Sequence, residues 1–196
     1  MPSNETAAFK REMNLIITIE VVLLGVLWML WIVDGLFFQN SLKSHGIHPR
    51  STEGLLGILF SPFFHSGLLH LVGNTIGIVM LGSLVLMHDI SKFFLVSGFS
   101  VIVGGLGVWL LGGAQTNHIG ISGVVFGYFG YLVSVGIFER KLGTVLLSLL
   151  TVFLYGGMIW GILPVQIGVS WEGHLFGFLG GILAAFVLTA RKAKSA

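Results

Sequence analysis

Six long apolar stretches restrict what this chain can fold into. They run over residues 14–38, 62–87, 93–112, 122–138, 142–163 and 173–190. Each is close to the length that an α-helix needs to cross the hydrocarbon core of a bilayer. Helices can span this core because they satisfy their backbone hydrogen bonds within one segment. The sequence therefore predicts an all-α membrane protein, a bundle of six transmembrane helices.

The charge and cysteine content exclude several other classes of protein. Only 9% of the 196 residues are charged and the net charge is +2, whereas a soluble domain is about 25% charged. A chain this short cannot hide so much apolar surface from water. Soluble, disordered and nucleic-acid-binding proteins are thus excluded, and no nucleic-acid partner is expected. Because cysteine is absent, the chain has no disulfide, thiolate zinc site or cysteine nucleophile.

The basic residues predict the orientation of the bundle. Eight lysines and arginines fall on the side that carries both termini and the turns at 88–92 and 139–141, and only Lys43 and Arg50 fall on the other. Because basic residues favour the cytoplasmic side, both termini are predicted to be cytoplasmic, in a multi-pass protein of the cell inner (plasma) membrane. Residues 13–190 then form one domain between short cytoplasmic tails at 1–12 and 191–196.

The loop at residues 39–61 is the one long connection and lies on the outer side in this topology. Its last part, residues 55–60, is apolar but too short to cross a bilayer, so it is predicted to lie in the outer interface. The first span is too long for the apolar region of a cleaved signal peptide and is predicted to be retained. Glu20 within it is expected to face other helices.

Polar residues in the second span mark a first candidate site. His70 and Asn74 are four residues apart and share one helical face, with Ser66 one turn earlier. His65, five residues before His70, is expected to point elsewhere. These side chains have two interpretations: hydrogen bonds that hold helices together, or donors aimed at a reacting group.

The short sequence Gly120-Ile121-Ser122-Gly123 opens the fourth span. This span is short for a bilayer, so its helix is predicted to begin below the outer surface with Ser122 in its first turn. Free backbone N–H groups and the positive end of the helix dipole would then lie beside the hydroxyl, where an oxyanion would be stabilised. The alternative is a serine N-cap with glycines for packing.

His174 opens the sixth span, within a stripe of glycines at 173, 177 and 181. The fourth span carries a matching stripe, Gly123 and Gly127, and such stripes let two helices approach closely. If the stripes pack together, His174 and Ser122 lie near the outer ends of contacting helices. The alternative is that His174 is an ordinary interfacial residue.

Together these residues predict a Ser–His dyad. His174 would take the proton of Ser122 as general base, and His70, Asn74 and the Ser122 backbone N–H would stabilise the oxyanion. No carboxylate is placed to complete a triad, since Glu172 is two residues before His174 and on another side of the helix. Packing must therefore orient the imidazole.

The combined motifs resemble those of the rhomboid intramembrane serine proteases, in the compact six-span bacterial form. The resemblance is carried, over about residues 45–190, by the order and spacing of His65-x4-His70-x3-Asn74, Gly-x-Ser-Gly and Gly-His-x-x-Gly-x-x-x-Gly. It implies an endopeptidase with Ser122 as nucleophile, His174 as base, and an oxyanion site at His70 and Asn74, with Gly120 and Gly123 beside it. It also implies that the substrates are transmembrane segments of other proteins, which reach a water-filled cavity from the bilayer near the fifth span. The resemblance implies no cofactor.

This chain departs from the family pattern in three places. The first histidine of the family's second-span motif is absent, leaving His65 as a supporting residue. The Trp-Arg pair of the first loop is replaced by Pro49-Arg50, and the tyrosine four residues after the serine is Phe126, which keeps an aromatic face for His174.

Other functions remain open at this point. A membrane transporter would explain glycine-rich helices with polar residues at depth, and a non-catalytic adaptor of the same fold would explain the motifs. The His-Glu-x-x-His motif of metalloproteases is absent, and a metal site at His65, His70 and His174 would lack carboxylate or thiolate ligands, so no metal is expected. The sequence predicts neither the substrate nor the oligomeric state.

Overall fold

A computed structural model describes residues 4–165 and 168–194. Its α-helices are α1 (Asn4–Phe37), α2 (Thr52–Phe60), α3 (Leu68–Gly77), α4 (Ser83–His88), α5 (Ile90–Leu111), α6 (Ser122–Glu139), α7 (Leu142–Tyr155) and α8 (Trp171–Lys194). The 3-10 turns are Leu42–His45, Ser61–Phe63 and Gly156–Ile162, and a π-helical turn, Ile78–Gly82, joins α3 to α4. These residues contain no β-strand, only an isolated bridge between Ile47 and His118. Residues 1–3 and 195–196 of the predicted tails lie outside the described residues.

Six of the helical segments are long and apolar enough to cross a membrane. They are Glu5–Phe37, Leu68–His88, Ile90–Leu111, Ser122–Glu139, Leu142–Ile162 and Trp171–Ala190. The second combines α3, the π-helical turn and α4, and the fifth combines α7 with its 3-10 turn. The predicted fold class, an all-α membrane bundle with six spans, is confirmed.

Two predicted boundaries differ by more than three residues from the structure. Helix α1 begins at Asn4 rather than at 14, because hydropathy marks the apolar residues of a helix and not its polar first turns. The second span begins at Leu68 rather than at 62, because Pro62 lies in a 3-10 turn and Gly67 has an extended backbone. The apolar run continues through Phe63 and Phe64 although the α-helix has not yet begun.

Helix α6 lies at the centre of the bundle. The most apolar stretch of this helix is 67% buried, compared with 11% in the spans that begin with α1 and α7. It packs closely on α8, because a Cβ atom at Gly177 would collide with the Gly123 carbonyl and one at Gly181 with the Gly127 carbonyl. The two predicted glycine stripes therefore do pack together, and they bring the first turn of α6 beside the first turn of α8.

Helix α1 is held to the second span by polar contacts. Ser83 donates a hydrogen bond of 2.6 Å to the Glu20 carboxylate, and the Trp28 indole donates to Thr75. Glu20 thus faces another helix, as the sequence predicts.

The long loop is anchored on α5. Ser51 caps α2 by accepting a hydrogen bond from the Gly54 N–H, and the Trp109 indole donates to the Ser51 carbonyl at 2.8 Å. The Arg50 guanidinium donates to the Leu110 carbonyl at 3.0 Å. Arg50 therefore fixes the loop to α5 through this bond. The location of residues 55–60 of this loop in the outer interface stays a prediction.

Candidate active site

Ser122 is the first residue of α6 and follows a sharp turn. Gly120 has a φ of +113°, which favours glycine, and its N–H donates to the Ser61 carbonyl at 2.9 Å. The N-cap of α6 is Ile121, which has no side-chain capping bond. The alternative interpretation of Ser122 as an N-cap is therefore wrong, and its hydroxyl is free for another partner.

That partner is His174, in the first turn of α8. The Ser122 Oγ and His174 Nε2 atoms are 2.8 Å apart, and His174 Nδ1 is 2.9 Å from the Gly161 carbonyl oxygen. A carbonyl can only accept, so the proton of the neutral imidazole belongs on Nδ1. Nε2 then carries the lone pair, and the Ser122 hydroxyl donates to it. The predicted pair meets at hydrogen-bond distance, and a backbone carbonyl stands where a triad would have a carboxylate.

Phe126 fixes the plane of the His174 ring. The two rings are stacked, with centroids 4.1 Å apart and planes 10° from parallel. Phe126 lies one turn after Ser122 on α6, and a Cβ atom at Gly161 would lie 2.6 Å from the Phe126 ring. The aromatic face expected from the sequence is present, and the imidazole is confined between it and the Gly161 carbonyl.

His70 and Asn74 lie on α3 against the turn that precedes Ser122. A Cβ atom at Gly120 would lie 2.6 Å from the His70 ring and 3.5 Å from Asn74 Nδ2. The Ser66 hydroxyl is 3.1 Å from His70 Nδ1, so these two residues share a face as predicted, although Ser66 lies just before α3. Asn74 Nδ2 is buried and finds no hydrogen-bond partner among the described residues. A buried amide that keeps an unused donor is costly unless something else receives the bond.

His65 contradicts the expectation that it points away from His70. The two rings meet edge to face with centroids 5.1 Å apart. The prediction from the five-residue spacing was wrong because His65 precedes α3 and so does not follow the periodicity of that helix. Burial lowers the pKa of the His65 imidazole to about 4, and the neighbouring His70 adds to the shift. The Phe63 backbone acts against this shift, although no hydrogen bond joins it to the ring nitrogens. With this lowered pKa, His65 is neutral at pH 7 and packs against His70.

Gly123 lies in the contact between α6 and α8. A Cβ atom there would lie 3.1 Å from the Gly173 carbonyl oxygen. Its position supports close packing of the helices beside Ser122. Among residues 4–165 and 168–194, no group of three or more histidine or acidic side chains is arranged to hold a metal ion.

A cavity of about 1250 Å³ opens onto these groups. Ser122, His174, His70 and Asn74 all line it, together with residues near the end of α7 such as Met158. The cavity is also lined by three residues that the sequence did not indicate, Thr116, His118 and Ser170, and by Glu172, which was excluded only as a triad member. The only signal for His118 and Ser170 was their position, four residues before Ser122 and His174.

Comparisons with known proteins point to one family. The model of the Rhomboid domain matches residues 52–191. An uncharacterized protein of Mycobacterium tuberculosis is 37% identical over 186 residues, covering 91% of this chain and 77% of that protein. An uncharacterized protein of Mycobacterium leprae is 36% identical over 202 residues, covering 99% and 79%. A Bacillus subtilis protein, YdcA, whose name assigns it provisionally to the rhomboid proteases, is 28% identical over 190 residues and 90% of each chain.

Proposed function

The chain belongs to the Rhomboid family of intramembrane serine proteases, and from this membership we propose that it is an active endopeptidase that uses a Ser122–His174 dyad. The observation that carries the proposal is the 2.8 Å separation of Ser122 Oγ and His174 Nε2, with Nδ1 bonded to the Gly161 carbonyl. This arrangement leaves the lone pair of His174 directed at the hydroxyl that must lose its proton.

In the proposed reaction, Ser122 Oγ attacks the carbonyl carbon of a peptide bond while its proton passes to His174 Nε2. The protonated imidazole then gives this proton to the departing amine, and an ester on Ser122 remains. A water molecule loses a proton to His174 and attacks the ester, and the imidazole returns the proton to Ser122 Oγ. Throughout, Gly161 accepts the Nδ1–H bond and Phe126 supports the ring.

The negative charge on the attacked oxygen needs hydrogen-bond donors. We assign this role to His70, the Asn74 amide and the Ser122 backbone N–H. The free Nδ2 of Asn74 supports the assignment, because it is a buried donor without a partner in the described residues and lines the same cavity as Ser122. The Ser122 N–H belongs to the first turn of α6, where backbone donors have no partner within the helix.

Replacing Asn74 by alanine is expected to lower kcat by about 10- to 1000-fold, the scale of one lost oxyanion donor. Binding and folding should change little, because Asn74 Nδ2 bonds nothing in the folded protein. Initial rates on a transmembrane model substrate, with thermal unfolding in detergent, measure both effects.

Thr75→Val is the matched control for this substitution. Thr75 is the next residue of α3, and its hydroxyl bonds to the Leu71 carbonyl and receives the Trp28 indole rather than lining the cavity. The control should keep the wild-type rate. An unchanged kcat in Asn74→Ala would show that Asn74 is not an oxyanion donor and has only a structural role.

The proposed substrates are transmembrane segments of other proteins. The cavity has room for a stretch of unwound chain, and Tyr155 and Met158 near the end of α7 form part of its wall. The span that begins with α7 is only 11% buried, and this loose packing at the edge of the bundle supports entry of a segment from the bilayer on this side. We further propose that the protein lies in the plasma membrane with both termini in the cytoplasm, which the excess of basic residues on that side supports.

Labelling with a fluorophosphonate, which reacts with activated serines, tests the dyad without knowledge of the substrate. Wild-type protein in detergent should be labelled, and His174→Ala should react at least about 100-fold more slowly, since it loses the general base. A transporter or a non-catalytic adaptor would react equally slowly with and without His174. Comparing proteins shed from membranes with the wild type and with His174→Ala would then identify substrates.

A further inference from the structure

A second histidine–serine hydrogen bond joins the two segments that carry the dyad. His118 Nδ1 and Ser170 Oγ are 2.6 Å apart. His118 precedes Ser122 by four residues, and Ser170 precedes His174 by four. The two bonds therefore connect the same pair of chain segments, one just before the helices begin and one in their first turns.

The direction of each hydrogen bond around His118 follows from its neighbours. The Thr116 hydroxyl is 2.6 Å from the Gly113 carbonyl, which can only accept, so Thr116 uses its proton there. Thr116 Oγ1 must then accept from His118 Nε2, 2.7 Å away. This leaves the lone pair of the neutral imidazole on Nδ1, where the Ser170 hydroxyl donates. The chain of bonds thus specifies one tautomer of His118.

Both ends of this chain are tied to the backbone. The His118 N–H and carbonyl pair with Ile47 at 3.1 and 2.9 Å, which fixes His118 against the long loop. Ser170 Oγ accepts a bond of 3.3 Å from the Gly173 N–H, and the Ser170 carbonyl accepts from the His174 N–H at 3.1 Å. Ser170 therefore holds the first turn of α8, in which His174 lies.

The imidazole of His118 is suited to this role at neutral pH. Partial burial lowers its pKa, and His48 acts in the same direction, whereas the Glu172 carboxylate opposes the shift. The neutral form therefore persists at pH 7, with a lone pair available for the Ser170 hydroxyl.

We propose that His118 and Ser170 are positioning residues that set the distance between Ser122 and His174. This inference rests on the proposed function and adds a requirement to it. The glycine contacts between α6 and α8 bring the helices together, and in this proposal they leave the first turns able to slide. The His118–Ser170 bond blocks this motion, and a displacement of about 1 Å in a catalytic pair can cost 100-fold in rate.

The test uses His118→Phe, Ser170→Ala and the double variant of the full-length protein in detergent. Each single variant should lower kcat on a transmembrane model substrate by about 10- to 100-fold, with KM changed less than about twofold. The double variant should be no slower than the slower single variant, because both substitutions break one bond. Ser170→Thr, which keeps the hydroxyl, should restore the rate to within about threefold of wild type.

His45→Phe is the matched control, since His45 is exposed and should tolerate the same substitution at the wild-type rate. Wild-type kcat in Ser170→Ala, additive losses in the double variant, or no rescue by Ser170→Thr would each overturn the proposal. If His118→Phe does not fold, the proposal is tested by the loss of kcat in Ser170→Ala and its recovery in Ser170→Thr.

The same variants separate this proposal from the proposed function. Active wild-type enzyme with unaffected Ser170→Ala would remove only the positioning role. Fluorophosphonate labelling that persists in Ser122→Ala and disappears when Ser170 is also replaced would show that Ser170 is itself the reactive serine, and this would overturn both.

Discussion

Ser122→Ala is expected to reduce peptide-bond hydrolysis by about 10⁶-fold, the largest effect of any single change in the site. The substitution removes the proposed nucleophile but leaves His174 bonded to the Gly161 carbonyl and stacked on Phe126. The fold should therefore be retained. Cleavage of a transmembrane model substrate in proteoliposomes, followed over hours, measures the loss, and thermal unfolding in detergent checks the fold.

Ser134→Ala provides a matched control in the same helix. Ser134 is buried, and its hydroxyl donates to the Gly130 and Tyr131 carbonyls of α6 rather than to another helix. Removing this hydroxyl should leave the cleavage rate within about twofold of wild type, because the carbonyls keep their helical bonds. Hydrolysis by Ser122→Ala at the rate of this control would show that cleavage does not pass through Ser122.

Gly181→Val should have the largest effect on the fold. A Cβ atom at Gly181 would collide with the Gly127 carbonyl, and the Gly127 backbone cannot move without shifting the central helix α6. Inserting a side chain into such a contact costs about 1–3 kcal/mol where the core can adjust and more where it cannot. We expect a loss of more than about 3 kcal/mol in the free energy of unfolding, measured by denaturant titration in mixed micelles.

Gly98→Ala is the control for the loss of a helical glycine. Gly98 is exposed on α5, and a Cβ atom there meets nothing within 4 Å. Since alanine is the better helix former, the control should match or exceed wild-type stability by up to about 1 kcal/mol. Equal stability of Gly181→Val and wild type would mean that α6 and α8 do not pack through these glycines.

The sequence could predict that Ser122 and His174 lie close together because each residue lies in a glycine-rich motif with a physical purpose, and the 2.8 Å distance agrees. Their action as a dyad stays a proposal. Gly123, Gly127, Gly177 and Gly181 are small where two helices must touch, so the pattern itself indicates which faces meet. Once these faces are paired, Ser122 and His174 fall near each other because each lies at the start of its helix. Hydropathy alone was sufficient for the number of spans.

Features that depend on loops could not be predicted in this way. The bond between His118 and Ser170 joins two loops, and neither residue stands in a motif of regular spacing. The contact of His65 with His70 was missed because helical periodicity was applied to a residue before the helix. The π-helical turn at Ile78–Gly82 also has no pattern in hydropathy, since one extra residue in a turn is accommodated by packing.

The use of the Gly161 carbonyl as the partner of His174 has a consequence for the orientation of the imidazole. A backbone oxygen carries no titratable proton, so acid cannot disconnect it, and no side-chain exchange at position 161 can delete it. The carbonyl oxygen moves only with the main chain, and this stretch of main chain closes the span that begins with α7, one of the two spans least enclosed by the bundle. The orientation of the His174 imidazole is therefore linked mechanically to the end of one of the two least buried spans.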